Sequence, residues 1–280
     1  MPDWRVVKER VFLAVVVILS LAAILPVFHV FFSVLYNGAR VIMAAGLGFL
    51  TDVPPPPNAG LGGIAPSLVG TILLAVFSSL LGIPLSFFAA IFAVEFPNNP
   101  LSKGVRVLSK ALLEIPSVVV GMLVYAILVV PMGRFSMLAG ALALAIMMIP
   151  YVTTYVEQAL EAVPFTYREA GFSLGMSRSR VVFEVLVGIA RRGILTGVLI
   201  GFAKVLGETA PLLFTIGRDR YSIPLGPLDY GDSISLLIFD YVQTPYANMH
   251  EVAWGAAMVL TLMFLAIFLI SRRFTKEVFL

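Results

Sequence analysis

The 280-residue chain is 60% hydrophobic and only 12% charged, whereas soluble domains are about a quarter charged. This composition excludes an ordinary soluble protein and leaves room for about five to seven membrane-spanning helices without a large soluble domain. The chain contains no cysteine, which excludes disulfides, thiolate metal sites and cysteine nucleophiles. The net charge of +3 does not indicate a nucleic-acid partner, because the positions of the basic residues account for it.

Six apolar runs predict an all-α membrane protein with six spanning helices. Each run is long enough to cross about 30 Å of hydrocarbon as a helix, and the alternating pattern of a membrane β-strand is absent. The first run is too long for the core of a signal peptide, so we expect an uncleaved span. The runs cover residues 11–36, 66–94, 115–133, 135–156, 193–217 and 252–271.

The basic residues predict that both termini are cytoplasmic. Lys and Arg are enriched in the cytoplasmic loops of membrane proteins, and with the N-terminus inside few of them fall on the outer side. The opposite orientation would reverse this bias. The outer segments then hold Arg40, Arg134, Arg218 and Arg220, and all other Lys and Arg except Lys204 lie on the inner side.

Three connections have a recognisable character. Residues 37–65, predicted as an outer loop, contain the prolines of 54–57, which favour a stiff extended spacer. Residues 95–114 predict a basic amphipathic helix on the inner membrane surface. The last outer loop, 218–250, contains the apolar piece SISLLIFDYV, which is too short to cross and predicts a re-entrant or surface helix.

The inner connection at 157–192 is charged and longer than a simple link between two helices. Thr166 and Glu169 have the spacing of a capping box, Gly175 predicts a sharp bend, and Ser177 is placed to cap a second short helix. One interpretation is a solvated, positively charged loop. The other is a docking surface, which the apolar residues retained in this connection favour.

The fifth apolar run carries two opposite charges. Lys204 lies almost midway along it, and a lone lysine at the centre of a membrane helix costs about 2.5–3.5 kcal/mol on insertion scales. Glu208 follows four residues later and therefore lies on the same helical face. The two residues form either a mutually neutralising structural pair or a pair that faces a water-filled pathway or a partner subunit.

The inner connection resembles the EAA loop of ABC importer permeases, whose pattern is Glu-Ala-Ala, three residues, Gly, nine residues, then Ile-x-Leu-Pro. The first part matches from Glu169 to Gly175, whereas valines and Gly188 replace the final Ile, Leu and Pro. In that family the loop forms the coupling helix that fits a cleft on an ATPase subunit. The resemblance implies a coupling role for Arg168, Glu169, Ala170, Gly171, Gly175 and Ser177.

A second stretch, AKVLGETAPLLFT at 203–215, is similar to the phosphate-specific permeases of this family, and its second half indicates the A-type of their two paralogous subunits. Similar runs at 62–71 and 115–117 and around Trp254 extend the resemblance over about 62–275. It implies a subunit of a binding-protein-dependent importer of inorganic phosphate.

For a phosphate pathway, Lys204 would supply positive potential, Glu208 would hold its ammonium group, and Thr209 would add a hydroxyl nearby. At the position of Lys204 the family more often has arginine, which binds oxyanions in a bidentate manner.

The resemblance also implies an architecture. A MetI-like core with an extra first helix is expected, with an N-terminal helix and proline-rich loop at 1–62 and a permease domain at 63–275. The domain contains the cytoplasmic coupling loop at 157–192. The resemblance implies a multi-pass protein of the prokaryotic cytoplasmic (inner) membrane, in contact with membrane lipid.

Partners and cofactors follow from the same resemblance. A second permease subunit, the family's other paralogue, two copies of a cytoplasmic ATPase subunit and an extracytoplasmic phosphate-binding protein are expected. The nucleotide-binding pattern G-x-x-x-x-G-K-[S/T] does not occur, so this chain should not bind or hydrolyse ATP by itself. The sequence has no cluster of His or Cys, so we expect no metal site. We also expect no catalytic residue and no cofactor in this chain. ATP and magnesium would bind to the partner ATPase.

Other functions remain as alternatives. A permease of the same architecture would carry another oxyanion such as molybdate or sulfate. An ATP-independent channel would leave the inner connection unexplained. The residues around Ser173 also spell G-x-S-x-G, the pattern of a hydrolase nucleophile, but His29 and His250 both fall outside the inner side, and this hypothesis is rejected.

Overall fold

The computed structural model describes residues 4–275. Within this range the chain folds into helices joined by turns and loops, without a strand, which confirms the all-α prediction. The helices are α1 (Trp4–Ala45), α2 (Gly48–Thr51), α3 (Ala65–Glu95), α4 (Pro100–Glu114), α5 (Ser117–Met132), α6 (Met137–Glu161), α7 (Thr166–Ser173), α8 (Arg178–Leu206), α9 (Ile234–Tyr241) and α10 (Ala247–Thr275).

Helices α1, α3, α6, α8 and α10 are each long and apolar enough to cross a membrane. Helices α4 and α5 are bent by 108° at their junction and make up to one further span. Ile115, the residue before Pro116, is extended at this junction, because a proline ring disfavours the helical conformation in the residue that precedes it. The predicted surface helix is thus α4, and the predicted third span is α5.

Helix α6 is the centre of the molecule and packs on α3 and α8. Its buried side includes Leu144, Met148, Val152 and Val156, which recur every four residues and so share one helical face. Alanine and glycine fill the first half of α6. Small residues let helix backbones approach closely in a membrane, so this part of α6 makes the tight core.

Helix α1 lies outside this core, as predicted. Its most apolar 18-residue window is entirely exposed, and only its last part packs on α10. There Gly38 lies so close to Met258 that a side chain at Gly38 would collide with it. Because this contact stabilises the helix beyond residue 36, α1 continues to Ala45 and the predicted outer loop at 37–65 begins later than expected.

The fifth span also differs from its prediction. A single helix, α8, runs from Arg178 to Leu206, so the second short helix expected after Ser177 is the start of this span. Residues 207–217 are not α-helical. Gly207 ends the helix and Pro211, which follows four residues later, would clash with the carbonyl of Gly207 in a continued helix. Lys204 therefore lies in the last turn of α8 rather than midway along it.

Candidate functional sites

Residues Thr166–Arg180 form an elbow, in which α7 and the first turn of α8 meet at an angle. Gly175 is the joint, with a φ of 76° in the left-handed region that glycine adopts most readily. The Ser177 hydroxyl accepts a hydrogen bond from the Arg180 amide at 3.4 Å, which confirms the predicted cap. The elbow therefore has the bent form that the glycine and serine positions predicted.

The predicted capping box at Thr166 is wrong. Thr166 is the first residue of α7, and the preceding Phe165 has helical angles and makes no cap hydrogen bond through its side chain. The Arg168 amide already donates to the Phe165 carbonyl at 2.9 Å. The helical turn thus begins before Thr166, and the threonine is no longer at the position from which a side chain caps a helix.

One side of the elbow is free. Glu169, Ala170 and Gly175 are exposed, and the side chains of Phe172 and Leu174 next to them are exposed as well. Gly171 faces the other way and is buried against Val181. A cluster of exposed apolar side chains at the end of a bundle is typical of a protein-interaction surface.

The other side of the elbow is anchored by Glu95, the last residue of α3, whose side chain is only 8% exposed. Arg168 from α7 forms an ion pair with one carboxylate oxygen of Glu95. The Arg178 Nε donates to the second oxygen at 3.2 Å. The Arg178 guanidinium also lies 4.2 Å from the ring centroid of Phe96. Arg168 therefore points inward, away from the free surface on which the other loop residues lie.

A groove of about 730 Å³ lies beside this anchor, between the ends of α3 and α6 and the elbow. Its lining combines Arg106 and Glu161, which form an ion pair at 3.0 Å, with apolar side chains that include Phe165 and Phe172. Arg106 also pairs with Glu157 of α6. These contacts tie α4 to the same end of the bundle as the elbow.

At the far end of α8 the structure brings Lys204, Glu208 and Thr209 together. Lys204 and Glu208 form an ion pair, with side chains 37% and 10% exposed. The Glu208 carbonyl accepts a hydrogen bond from the Ser235 hydroxyl at 2.8 Å. Thr209 is half-buried, and its carbonyl accepts from the Leu212 amide at 3.1 Å. Lys204 and Glu208 remain paired although α8 ends between them, because these contacts fix the turn that follows the helix.

The position of this pair at a helix break is informative. Counted from the start of the apolar run at residue 193, α8 rises about 20 Å to Leu206, which is less than the hydrocarbon thickness of about 30 Å. We therefore place the break at 207–217 within the membrane. Non-helical backbone is tolerated at that depth only where it is buried in protein or lines a water-filled cavity. In transporters, broken helices of this kind form substrate and ion sites.

Sequence reasoning missed a second buried ionic cluster, formed by Arg220, Asp232 and Asp240. The Asp232 carboxylate is fully buried and accepts from Arg220 Nε at 3.2 Å and from the Ser67 hydroxyl at 2.7 Å. Arg220 also pairs with Asp240 of α9. The sequence offered only an outer-loop position for Arg220. Ser67 is 165 residues away from Asp232, so no local spacing could reveal the contact.

Burial sets the direction of the pKa shifts of Asp232 and Tyr241 in this cluster. Loss of hydration raises the pKa of Asp232, against the opposing effect of Arg220 and of the Ser67 hydrogen bond. Burial also raises the pKa of the neighbouring Tyr241 phenol to about 12. One oxygen of the Asp232 carboxylate, Oδ1, has no hydrogen-bond partner in the described part of the chain. Asp232 is thus held in place by one side of its carboxylate only.

Residues 4–275 contain no group of three or more His, Asp or Glu side chains that could hold a metal ion. The Lys204–Glu208 pair and the Arg220 cluster both combine cations with carboxylates. Such clusters neutralise buried charge within the protein itself.

The chain matches a family model and relatives that align with nearly its whole length. A family model described as "Binding-protein-dependent transport system inner membrane component" matches residues 82–278. The chain is 46% identical, over 98% of its own length and 95% of the relative's, to a protein of Methanocaldococcus jannaschii described as a probable phosphate transport system permease protein PstA. It is 33% identical to the phosphate transport system permease protein PstA of Yersinia pestis, over 96% of this chain and 90% of that one.

Solved structures agree on the fold. An inward-facing form of the MetNI methionine ABC transporter matches with a TM-score of 0.64 and 16% identity, over 76% of this chain and 94% of that one. An amino acid ABC transporter crystallised with histidines matches with a TM-score of 0.58 and 20% identity, over 76% of this chain and 92% of that one. At this level of identity the likeness concerns the fold alone.

Proposed function

Because the chain belongs to the family of binding-protein-dependent transport system inner membrane components, we propose that it is the A-type permease subunit of an ABC importer for inorganic phosphate. The names of two relatives that align with nearly the whole chain support phosphate as the substrate. The observation that carries the mechanism is the continuity of α8. One helix runs from the elbow to the turn that holds Lys204, a rise of about 43 Å.

The elbow is the attachment site for a cytoplasmic ATPase. Its free side offers Glu169 and Ala170 together with the exposed apolar side chains of Phe172 and Leu174. A cleft on the ATPase that accepts this side would grip both arms of a bend fixed at Gly175. Two ATPase copies would dock, one on this chain and one on a second permease subunit, the family's other paralogue.

The Lys204–Glu208 pair lies on the translocation pathway. Lys204 is more than a third exposed in the single chain, so it is open to a pathway shared with a second permease subunit. Its ammonium group would attract an oxyanion, and Glu208 holds that group in place through their ion pair. The Thr209 hydroxyl stands one residue further along the same turn and would offer a neutral hydrogen bond.

The remaining assignments follow from this arrangement. Both termini and the elbow lie in the cytoplasm, and the Arg220 cluster lies on the outer side, where a phosphate-binding protein would dock. Residues 1–62 form the extra helix with its loop, and 63–275 form the permease domain. The chain is not an enzyme by itself, since ATP and magnesium bind to the partner ATPase, and it needs no cofactor of its own.

ATP-dependent uptake by the purified complex in liposomes tests this function. Labelled phosphate should accumulate only when ATP is present on the side of the membrane that carries the ATPase and the phosphate-binding protein is present on the opposite side. A tenfold excess of unlabelled phosphate should compete (on the order of a tenfold reduction for saturable uptake), whereas sulfate and molybdate should not. Competition by molybdate or sulfate alone would assign the other oxyanion, and uptake without ATP would assign a channel.

A further inference from the structure

Helix α3 touches both charged ends of the molecule. It runs without interruption from Ala65 to Glu95, a rise of about 45 Å, and it packs along α6 over the centre of the core. Its first turn meets Asp232, and its last residue meets the elbow. It is therefore a second helical connection between the two ends of the bundle, beside α8.

At the first end, three contacts hold the segment before α9 to α3. The Ser67 hydroxyl donates to Asp232 at 2.7 Å, and Thr71 Oγ1 accepts from the Ile234 amide at 2.9 Å. Gly70 lies between these two residues, and a side chain there would overlap the Asp232 carbonyl oxygen. The backbone of α3 and this segment are in direct contact, so one cannot shift far without the other.

At the other end, Glu95 contacts both arms of the elbow. Arg168 lies on the arm before Gly175 and Arg178 on the arm after it, and each binds a different oxygen of the same carboxylate. The Arg178 guanidinium also donates to the Glu95 carbonyl and covers the ring of Phe96. A single buried carboxylate thus sets the angle between the two arms and their position on α3.

We propose that Glu95 is the positioning residue that fixes the elbow to α3, so that a displacement of the elbow by the ATPase moves α3 together with α8. This inference rests on the proposed function for the origin of the displacement, but the clamp itself rests only on the contacts of Glu95. In consequence the segment held by Ser67 and Thr71 at the far end of α3 follows the elbow. Glu95 touches no substrate and acts through Arg168 and Arg178.

The burial of Glu95 distinguishes it from an ordinary surface ion pair. Its side chain is 8% exposed, whereas the nearby pair Arg180–Glu184 is 61% and 63% exposed with a distance of 3.4 Å. Exposed pairs contribute little because water screens them. A buried carboxylate that joins two cations is hard to replace, because its loss leaves both arginines beside each other without a counter-charge. Glu184 is therefore a matched control for Glu95.

The functional test compares Glu95→Gln with Glu184→Gln in the complete importer. The complex with Glu95→Gln should assemble with the ATPase and hydrolyse ATP at the basal rate, but stimulation by phosphate-loaded binding protein should be lost and phosphate uptake should fall with it. Glu184→Gln should match the unmodified complex. If Glu95→Gln fails to assemble, Arg168→Gln, which opens one arm only, takes its place and should show the same loss of stimulation. Full stimulation in an assembled Glu95→Gln or Arg168→Gln complex would overturn the proposal.

A distance measurement separates the clamp from the proposed function. The chain has no cysteine, so spin labels at Thr166→Cys and Asn98→Cys, both exposed, report the distance between the elbow and the end of α3. The distribution of this distance should show one narrow peak at the same position without nucleotide and with ATP. Glu95→Gln should broaden that distribution. A distance that shifts with ATP in the unmodified clamp, or that Glu95→Gln leaves unaltered, would refute the clamp. Absence of phosphate uptake with a narrow, Glu95-dependent distance would instead refute only the proposed function.

Discussion

Lys204 and Glu208 stabilise each other at a place where either charge alone would be costly. Removing the carboxylate charge leaves the Lys204 ammonium group without the partner that holds it in place, and each tenfold loss of rate corresponds to about 1.4 kcal/mol. Glu208→Gln should therefore reduce phosphate uptake roughly tenfold or more, while the complex still assembles. Lys204→Ala should show a similar loss, and Lys204→Arg, which keeps the cation, should retain uptake. Normal phosphate uptake by the Glu208→Gln complex in liposomes would show that the pair does not act in the translocation pathway.

The Arg220 cluster leads to a prediction about stability. Arg220→Met leaves Asp232 fully buried without its cation, and breaking a buried pair in this way costs about 3–5 kcal/mol. The control is Arg218→Met, because Arg218 is 43% exposed and lies 3.6 Å from Asp240, a surface pair worth about 0–1 kcal/mol. The unfolding temperature of the purified complex should decrease strongly for Arg220→Met and change little for Arg218→Met. Equal decreases would contradict the account of the cluster.

The same variant should be sensitive to pH. Burial already raises the pKa of Asp232, so the folded protein holds this proton more tightly than the unfolded chain, and ionisation of Asp232 opposes folding as the pH rises. Without Arg220 that opposition grows. The destabilisation by Arg220→Met should therefore be smaller at acidic pH, where Asp232 is protonated, and larger at neutral and alkaline pH. A destabilisation that does not change across this pH range would show that Asp232 is not the group responsible.

Residues that act together can be predicted from a sequence only when they are close in it. The pair at Lys204 was predictable because four residues separate it from Glu208 and an isolated charge in an apolar run needs a partner. The partners of Glu95 could not be predicted, since Arg168 is 73 residues away. The same holds for Ser67 and Asp232. Such contacts exist only once α3 has packed in the bundle.

Among the elements, the elbow depends on the conformation of one residue. Gly175 has a φ of 76° and open space around its α-carbon, so a side chain there meets backbone strain and no collision. Gly175→Ala should destabilise the elbow by roughly 1–2 kcal/mol, whereas Gly175→Asn should cost less because asparagine tolerates this conformation. The unfolding temperature of the complex and its stimulated rate of ATP hydrolysis should both decrease for the alanine variant.

Gly104 provides the matched control for this substitution. It lies inside α4 with open space around it, and alanine is preferred to glycine within a helix by about 0.5–1 kcal/mol. Gly104→Ala should leave ATP hydrolysis unchanged and should not lower the unfolding temperature. If both alanine variants behave alike, the left-handed conformation at Gly175 does not determine the shape of the elbow.

Helix positions were predictable from apolar runs, but helix ends were less so. The run at 193–217 is apolar throughout, so hydropathy cannot detect that α8 ends at Leu206. Gly207 and Pro211 were the available signals for that end. At the other end of the chain, α1 continues to Ala45 because Gly38 and Val41 pack on α10. The local sequence thus ends α8, whereas tertiary packing extends α1.

At the scale of the whole molecule, α3 and α8 both connect the elbow to the opposite end of the bundle, and α6 packs between them. This arrangement requires the two ends to face opposite sides of the membrane. Since the chain lacks cysteine, single cysteines report their side without background. Leu225→Cys, highly exposed in the loop before α9, should react with an impermeant maleimide on intact cells. Ser179→Cys in the elbow should react only after permeabilisation, and the reverse pattern would invert the proposed orientation.

The most direct test of the account is a crosslink from the free side of the elbow. A photoreactive group on Ser173→Cys, which is exposed beside Glu169, should capture the ATPase subunit in the assembled complex, and capture should stop ATP-driven phosphate uptake. The same group on Leu225→Cys should leave the ATPase free. If the Ser173 group never captures an ATPase subunit in a complex that transports phosphate, the elbow is not the site at which ATP hydrolysis is coupled to this chain.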